Sequence, residues 1–306
     1  MQGLVLLNKP EGITSFGAVA RIKRISGEKR VGHTGTLDPM ATGVLPILLG
    51  RATALSSYLL DADKRYTARI RLGVETDTCD ITGEVLKTCE VHITAEKLKC
   101  TLKEFTGKIN QKPPMFSALK KDGVRLYDLA RQGKTVDIPE RQIEIFEIKL
   151  LKELDENNEF EIETYVSKGT YIRSLARDIG TALGCGATLC SLMRTETCGI
   201  PIEKCVDLEK LEEDFMQHLL PADAAVSHFG EVFVTNKQAV RFSNGGQLEL
   251  KRLKETDFKD GEILRVKFGD LFLGLGVVNE TTGLLDIKCV IADKEAVKEA
   301  ASEVQG

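Results

Sequence analysis

Strict alternation is clearest between Tyr66 and Leu72. Tyr66, Ala68, Ile70 and Leu72 are apolar or aromatic, Thr67, Arg69 and Arg71 are polar, and Gly73 follows. A period of two predicts a strand with one buried face, ended by the glycine. A different period starts at Thr14 or Ser15, either of which can cap a helix. The apolar residues Phe16, Val19, Ala20, Ile22 and Ile25 then share one predicted helical face. A second helix is predicted from Tyr171. Ile172, Leu175, Ala176, Ile179 and Leu183 fall at i, i+3, i+4, i+7 and i+11, and Gly184 ends the run. Further strands are expected at Leu4–Leu7, Ile143–Leu151 and Glu159–Ser167. The basic stretch from Lys112-Pro-Pro to Pro139 reads as an inserted arm. After about Ala222 the apolar runs shorten. Val232–Thr235, Leu264–Phe268 and Leu271–Val278 are separated by Asn244-Gly-Gly and Gly269-Asp turns, which predicts a separate β domain of roughly 70 residues. The residues alone therefore give an α+β class with a β-rich tail.

The composition fits that picture. With 306 residues, 42% hydrophobic and 29% charged, the chain has the balance of a soluble globular protein with one large domain, or a large and a small one. The longest apolar region, Pro39–Leu60, is interrupted by Gly43, Pro46, Gly50 and Arg51, so no bilayer span is expected. Gly3–Leu7 is too short for a signal-peptide core, and the cytosol is the expected compartment. The eight cysteines include no Cys-x-x-Cys pair and no neighbouring histidines that complete a zinc pattern. Reduced thiols without a metal are expected.

The net charge of −4 conceals a polarity. Residues 206–306 carry −7, residues 1–205 carry +3, and the segment Lys9–Arg71 alone carries +6. Between Lys103 and Lys134, basic residues outnumber acidic ones eight to three. The N-terminal two thirds can hold a polyanion, although charge alone is more simply read as a solvated face.

Nucleotide-binding loops are excluded. Gly27 and Gly32 have P-loop spacing, but His33-Thr34 stands where Lys-Ser/Thr is required. Gly184-Cys-Gly186 closes a helix instead of opening one. The run Gly32-His-Thr-Gly-Thr-Leu-Asp-Pro-Met-Ala-Thr-Gly-Val-Leu45 is the distinctive segment. The run reads as a glycine-rich loop that a ligand can approach closely, and Asp38 is the one carboxylate between His33 and Gly50. An isolated carboxylate suits a nucleophile or general base. An Asp-Pro turn explains the same residues, and chemistry alone favours the turn.

The run Gly32–Leu45 resembles the catalytic motif of the TruB-type family of bacterial tRNA pseudouridine-55 synthases. Leu7-Asn-Lys-Pro10, Gly12 and Thr14-Ser15 are similar to the family's first motif. Lys64-Arg-Tyr66, Leu72-Gly73, Thr76-Asp-Thr78, Asp80 and Gly83 resemble its second. Pro114–Lys120, Tyr127 and Ala130–Gly133 resemble its RNA-gripping insertion. Ser167–Arg173, Leu183–Gly186 and Leu192-x-Arg194 resemble its last catalytic motifs. The motifs keep the family's order over about 190 residues.

The resemblance implies a pseudouridine-synthase fold, a mixed and largely antiparallel sheet flanked by helices. It implies a catalytic domain over residues 1–222, with the insertion at about 108–141, and a PUA-like RNA-binding domain over 229–295. The implied activity converts the uridine at position 55 of the tRNA T loop to pseudouridine, with the base flipped out and no metal or cofactor. Asp38 matches the essential aspartate, Tyr66 the tyrosine that stacks on the flipped base, and Arg173 the arginine that pairs with the carboxylate. His33 matches the residue that helps turn the nucleotide out, and Leu192 an apolar wall of the uracil pocket. Lys9, Lys64 and Asp80 fall in matching motifs as further substrate-site residues. Taken singly, Tyr66 and Leu192 read as core, Arg173 as a surface arginine and His33 as a turn residue. Their combination with Asp38 in the family's order overrides those readings. Two alternatives are a tRNA-folding chaperone using the same grip and a synthase acting on another RNA. The expected partner is the T-arm stem-loop of tRNA, with no membrane, and the chain is expected to be a monomer.

Overall fold

The alternating segment becomes the middle of a large sheet. In a computed structural model, residues 1–303 are described apart from 118, 122, 135, 255 and 256, and the side chains of 120, 121, 125 and 131 are not. The chain opens with β1 (Gly3–Lys9), α1 (Ser15–Ser26), β2 (Val31–His33) and β3 (Ala41–Leu49). After α2 (Ser56–Leu60) come β4 (Lys64–Leu72), the hairpin of β5 (Val74–Thr76) and β6 (Val85–Thr88), and α3 (Ala95–Glu104). β7 (Gly107–Gln111) precedes an excursion containing β8 (Lys120–Lys121), β9 (Val124–Arg125) and α4 (Leu126–Arg131). The chain returns through β10 (Arg141–Lys152), β11 (Glu159–Val166), α5 (Ile172–Leu183) and β12 (Ala187–Thr197). The short strands β13 (Ile200–Pro201) and β14 (Val206–Asp207) and helix α6 (Leu208–Glu213) follow.

The sheet runs β14-β1-β3-β12-β4-β11-β10-β7, with β2 beside β3 and β13 beside β12. Among the described residues its parallel pairs are β1 with β14 and β3 with β12, so the sheet is mixed and largely antiparallel. One face buries Tyr66, Ala68, Ile70 and Leu72 in a cluster with Ala18 and Ile22 of α1, Leu98 of α3 and Ile172, Leu175 and Ile179 of α5. On the other face of β4, Arg65 pairs with Glu147 and Glu163, while Arg69 and Arg71 both pair with Glu159. The alternation is thus an apolar core on one side and a ladder of charge pairs on the other. The excursion leaves from Gln111 and returns at Arg141, which are register partners on β7 and β10.

The second sheet is built from β15 (Gly230–Phe233), β16 (Leu248–Glu249), β17 (Ile263–Phe268), β18 (Leu271–Asn279) and β19 (Leu284–Val290), in the order β15-β17-β18-β19-β16. Helices α7 (Asn236–Ser243) and α8 (Lys294–Glu303) accompany it. A third apolar cluster joins the two sheets, with Leu4, Leu6, Leu48 and Leu55 against Phe272, Leu275 and Ile291.

Three local expectations are corrected. The buried stripe of α1 is Ser15, Ala18, Val19 and Ile22, while Phe16 and Ala20 are exposed. Ser15 is turned inward by hydrogen bonds to Leu37, and one residue is 100° of helix, so Phe16 is carried out of the core. The run Gly32–Leu45 is not loop throughout, because its ends belong to β2 and β3 and only the centre is irregular. Asn244 ends a helix instead of joining two strands. Thr235 and Gln238 form a capping box that starts α7, and Phe242 and Ala239 bury its inner face.

Candidate active site

Asp38 lies in the irregular centre of that run, between β2 and β3. The loop is tied down residue by residue. Thr34 N–H donates to Pro46 O at 3.1 Å, and the Gly35 carbonyl accepts from Arg194 Nη2 at 3.2 Å. Leu37 N–H donates to Ser15 Oγ at 2.8 Å, and Ser15 Oγ donates back to Leu37 O at 3.0 Å. Gly12 N–H donates to Pro39 O at 2.8 Å. The Asp38 carbonyl accepts from Ala41 N–H at 3.0 Å, so this residue does sit in a turn, as its Asp-Pro chemistry suggests. The turn and the candidate chemistry are the same feature.

Arg173 stands in the first turn of α5. Tyr171, just before the helix, supplies no side-chain cap, and Gln111 at the end of β7 clamps its backbone. Gln111 Oε1 accepts from Tyr171 N–H at 2.9 Å, and its Nε2 donates to Tyr171 O at 3.1 Å. From there Arg173 Nε reaches Asp38 Oδ2 at 2.8 Å and Nη2 reaches Oδ1 at 3.1 Å, a two-point fork. Nη1 lies 3.5 Å from Asp80 Oδ2, and the carbonyls of Thr78 and Phe116 accept at 3.2 and 2.8 Å. Asp80 Oδ1 accepts from the Thr78 hydroxyl and from the Thr82 hydroxyl and N–H, which fixes the second carboxylate.

The exposures of the pair differ in a way that matters. The Arg173 side chain is 6% exposed and that of Asp38 is 33% exposed. The guanidinium is locked in while the carboxylate still faces open space. Burial raises the Asp38 pKa above its ordinary value, Arg173 opposes that rise, and the Asp80 charge adds to it. The result is an oriented carboxylate that a substrate can touch.

The remaining predicted residues surround this pair in different capacities. Tyr66 is buried on β4, with Thr164 of β11 and Arg194 of β12 as register partners. Leu192 pairs in register with both Ala68 and Ala41, so Tyr66, Leu192 and Arg194 share the face that carries the core. His33 ends β2, half-buried, with Nδ1 unpartnered among the described residues. Burial and Arg194 lower its pKa, which keeps the ring neutral at neutral pH. Lys9 is fully buried, and its ammonium donates to the carbonyls of Pro10, Ile13 and Pro39 at 2.7, 2.8 and 3.4 Å. Burial lowers its pKa to about 8, against the pull of Asp38. Lys64 is likewise buried and donates to the carbonyls of Leu60 and Ala62. The structure brings Asp38, Arg173 and Asp80 into direct contact; both lysines meet backbone instead. Within the arm motifs, Ala118 and the side chains of Lys120 and Arg131 lie outside the described residues.

Sequence reasoning gave Gln111 no role, offered Ser15 only as a helix cap and motif residue, and placed Arg194 in a motif without a function. Arg194 is fully buried, with Nε donating to Val44 O at 2.8 Å. Gly43, at φ +102°, makes room for it, because a Cβ there would stand 2.2 Å from the Arg194 carbonyl. The one available signal was its place in the Leu192-x-Arg194 motif.

Comparison with known proteins places the chain. Residues 23–172 match the TruB family pseudouridylate synthase N-terminal domain, and residues 173–227 match the tRNA pseudouridylate synthase B C-terminal domain. The tRNA pseudouridine synthase B of Shewanella woodyi is 40% identical over 97% of each chain. This chain belongs to the TruB family. The protein of the same description from Clostridium tetani is 44% identical, covering 90% of this chain and 95% of its own. Among solved structures, a chain of a Cbf5-Nop10-Gar1 complex matches with a TM-score of 0.74 at 26% identity, covering 96% of this chain and 86% of that one. A chain of an H/ACA RNP bound to a substrate RNA containing 2′-deoxyuridine matches at 0.72 and 25%, with the same coverages. The large mixed sheet with its helices and β-rich C-terminal region is therefore the pseudouridine-synthase fold. Among the described residues, no group of three or more His, Cys, Asp or Glu side chains is placed to hold a metal ion. No described helix is long and apolar enough to cross a membrane.

Proposed function

We propose that this TruB-family chain isomerises uridine to pseudouridine in tRNA, at position 55 of the T loop. The observation that carries the reading is the forked Asp38–Arg173 pair, in which the arginine is sealed and the carboxylate is open. Pseudouridine formation breaks the C1′–N1 bond of a uridine, turns the uracil and rejoins it through C5. That chemistry needs the base out of the stack, an ionised carboxylate beside it and a group that handles the C5 proton. Asp38 is the carboxylate. Arg173 holds it ionised against the burial that favours its protonated form, and fixes its direction. Tyr66 stacks on the base and takes part in the C5 proton transfer, Leu192 walls the uracil, and neutral His33 helps turn the nucleotide out. Asp80 anchors the far side of the guanidinium. Lys9 and Lys64 act on the substrate indirectly, by fixing the loops that face it.

The reaction is redox-neutral and internal to the substrate, so it calls for no cofactor or metal. The catalytic part spans 1–222, with the excursion at about 108–141 gripping the T arm through its basic residues. Residues 229–295 form a PUA-like module that extends the contact. The protein works as a monomer in the cytosol.

The test uses a T-arm stem-loop whose uridines carry tritium at C5. Wild-type protein releases about one label per RNA, and replacing the target uridine with cytidine abolishes release. Asp38→Asn binds the RNA and releases none, a loss of about 10⁴-fold or more. Release above background by Asp38→Asn overturns the assignment. Binding without release by the wild type favours a folding chaperone or a different RNA target.

A further inference from the structure

Helix α1 turns an aromatic side chain away from the core. Phe16 is 74% exposed, the highest value among the large apolar residues described. A single exposed apolar residue is ordinary on a protein surface. The position of this one is not. Ser15, its neighbour, makes two hydrogen bonds to the backbone of Leu37, the residue immediately before Asp38. Thr14 caps the same helix by accepting from Gly17 N–H at 2.8 Å. Phe16 therefore projects from a rigid first turn pinned to the loop that carries the candidate nucleophile.

The charge around it has a direction. Phe16, Ala20 and Lys23 fall at i, i+4 and i+7, one exposed face of α1. On the adjacent face Arg21 and Arg24 are drawn to Glu212, at 2.9 and 3.5 Å. Lys23 enters no ion pair among the described residues, and Lys29 and Arg30 are exposed beyond the helix. An aromatic ring followed by an unpaired cation along one ridge matches a nucleotide strand, which offers a base face and then a phosphate. It does not match a protein hot spot, which needs a desolvated apolar cluster around the anchor. Along this face Ala20 is the only other apolar side chain.

We propose that Phe16 is a stacking platform for an unpaired nucleotide of the RNA substrate adjoining the target uridine, with Lys23 taking a phosphate further along the same strand. This rests on the reading of the chain as an RNA-modifying enzyme. Phe16 is a positioning residue. It holds the strand in register while the target base leaves the stack, so its loss weakens binding and leaves the chemical step alone.

The test compares wild type with Phe16→Ala, Phe16→Leu, Phe16→Tyr and Lys23→Gln on the T-arm stem-loop. Turnover and the Kd from fluorescence anisotropy are both followed. Phe16→Ala raises KM and Kd about 5- to 100-fold with kcat within about twofold of wild type, the range expected for one stacked base. Phe16→Tyr restores binding and Phe16→Leu does not, because stacking requires a ring and not only apolar area. Lys23→Gln lowers the salt dependence of binding by about one phosphate. The side chain is exposed, so thermal unfolding of all four variants matches wild type. Unchanged Kd in Phe16→Ala, or full rescue by leucine, overturns the proposal while wild-type turnover leaves the enzymatic reading intact. If wild type binds the stem-loop without turnover, the T-loop assignment fails and the Kd series still judges Phe16. Absence of binding by the wild type removes both.

Discussion

Arg173 and Arg194 are both buried arginines that reach the loop carrying Asp38, and their partners differ in kind. Arg173 faces two carboxylates and two carbonyls, with Asp38 taken by two nitrogens at 2.8 and 3.1 Å. Arg194 donates to the carbonyls of Val44 and Gly35 and has no carboxylate within ion-pair distance among the described residues. Lys9 and Lys64 follow the pattern of Arg194, since their ammonium groups also end on main-chain oxygens. A guanidinium forked onto a carboxylate sets that group's charge and direction. A cation spent on carbonyls fixes the path of the chain and neutralises nothing, so its own burial cost is repaid only by the order it imposes. In the proposed reaction the first arrangement serves the chemistry, and the second holds the loop that carries Asp38.

The sharpest way to break this division is to exchange each arginine for a side chain that keeps its bulk. Arg173→Lys retains a positive charge but cannot fork, and kcat falls about 10²-fold or more while RNA binding persists. Arg194→Met leaves two carbonyls without donors and lowers stability by about 2 kcal/mol, read as a drop in Tm. Measured well below its Tm, Arg194→Met keeps kcat within a few-fold of wild type. A kcat loss in Arg194→Met as large as that in Arg173→Lys erases the distinction.

How much of this was legible beforehand follows the same line. The period-two run gave the buried face of β4 with Tyr66 on it, and the 3.6-residue period gave α5 with its terminal Gly184. Both are set by burial along a single element, which a sequence displays directly. The stripe of α1 was read one position off because the polar Ser15 is the inward residue, held by a loop 22 residues away. The long strand β12 was missed because Ala187–Cys190 are buried on both faces, and beyond them Met193 is exposed while Arg194 is buried, so residue type shows no alternation. Arg173 looks exposed by composition, and only contacts with Asp38 and Asp80, 135 and 93 positions away, explain its burial. Motif order singled out Asp38 and Arg173, which the structure places in contact, whereas periodicity marked Tyr66 only as a buried strand residue. Arg194 stood inside a matching motif with no chemical reason attached, since carbonyl partners leave no mark in sequence.

Lys9 gives an effect of the same kind. Burial lowers its pKa to about 8, below the 10.5 of an exposed lysine. Between those two values the unfolded chain binds more protons than the native one, so stability rises as pH increases across that window. The gain attributable to Lys9 across that window is about 2–3 kcal/mol, most of the free energy that such a shift represents. Denaturant titrations at pH 8 and pH 10.5 read it as the difference between wild type and Lys9→Met. An identical pH slope in the two proteins removes Lys9 from the set of costly buried cations.

The mildest perturbation tests the carboxylate side of the comparison. Asp80→Asn keeps an oxygen for the Thr78 and Thr82 donors but removes a negative charge that raises the Asp38 pKa. It also leaves the Arg173 charge undivided. Both changes favour ionised Asp38, so its pKa falls back toward the ordinary carboxylate range. If ionised Asp38 is the reacting form, the acid limb of kcat/KM moves to lower pH, and the plateau at neutral pH changes only a few-fold. The profile of free enzyme and stem-loop from pH 4 to 8 reads this directly. A limb that stays in place, or moves up, means that Asp38 is not the group titrating in it. The forked pair would then orient a carboxylate whose charge state the reaction does not sense, and Arg173, like Arg194, would be a structural cation.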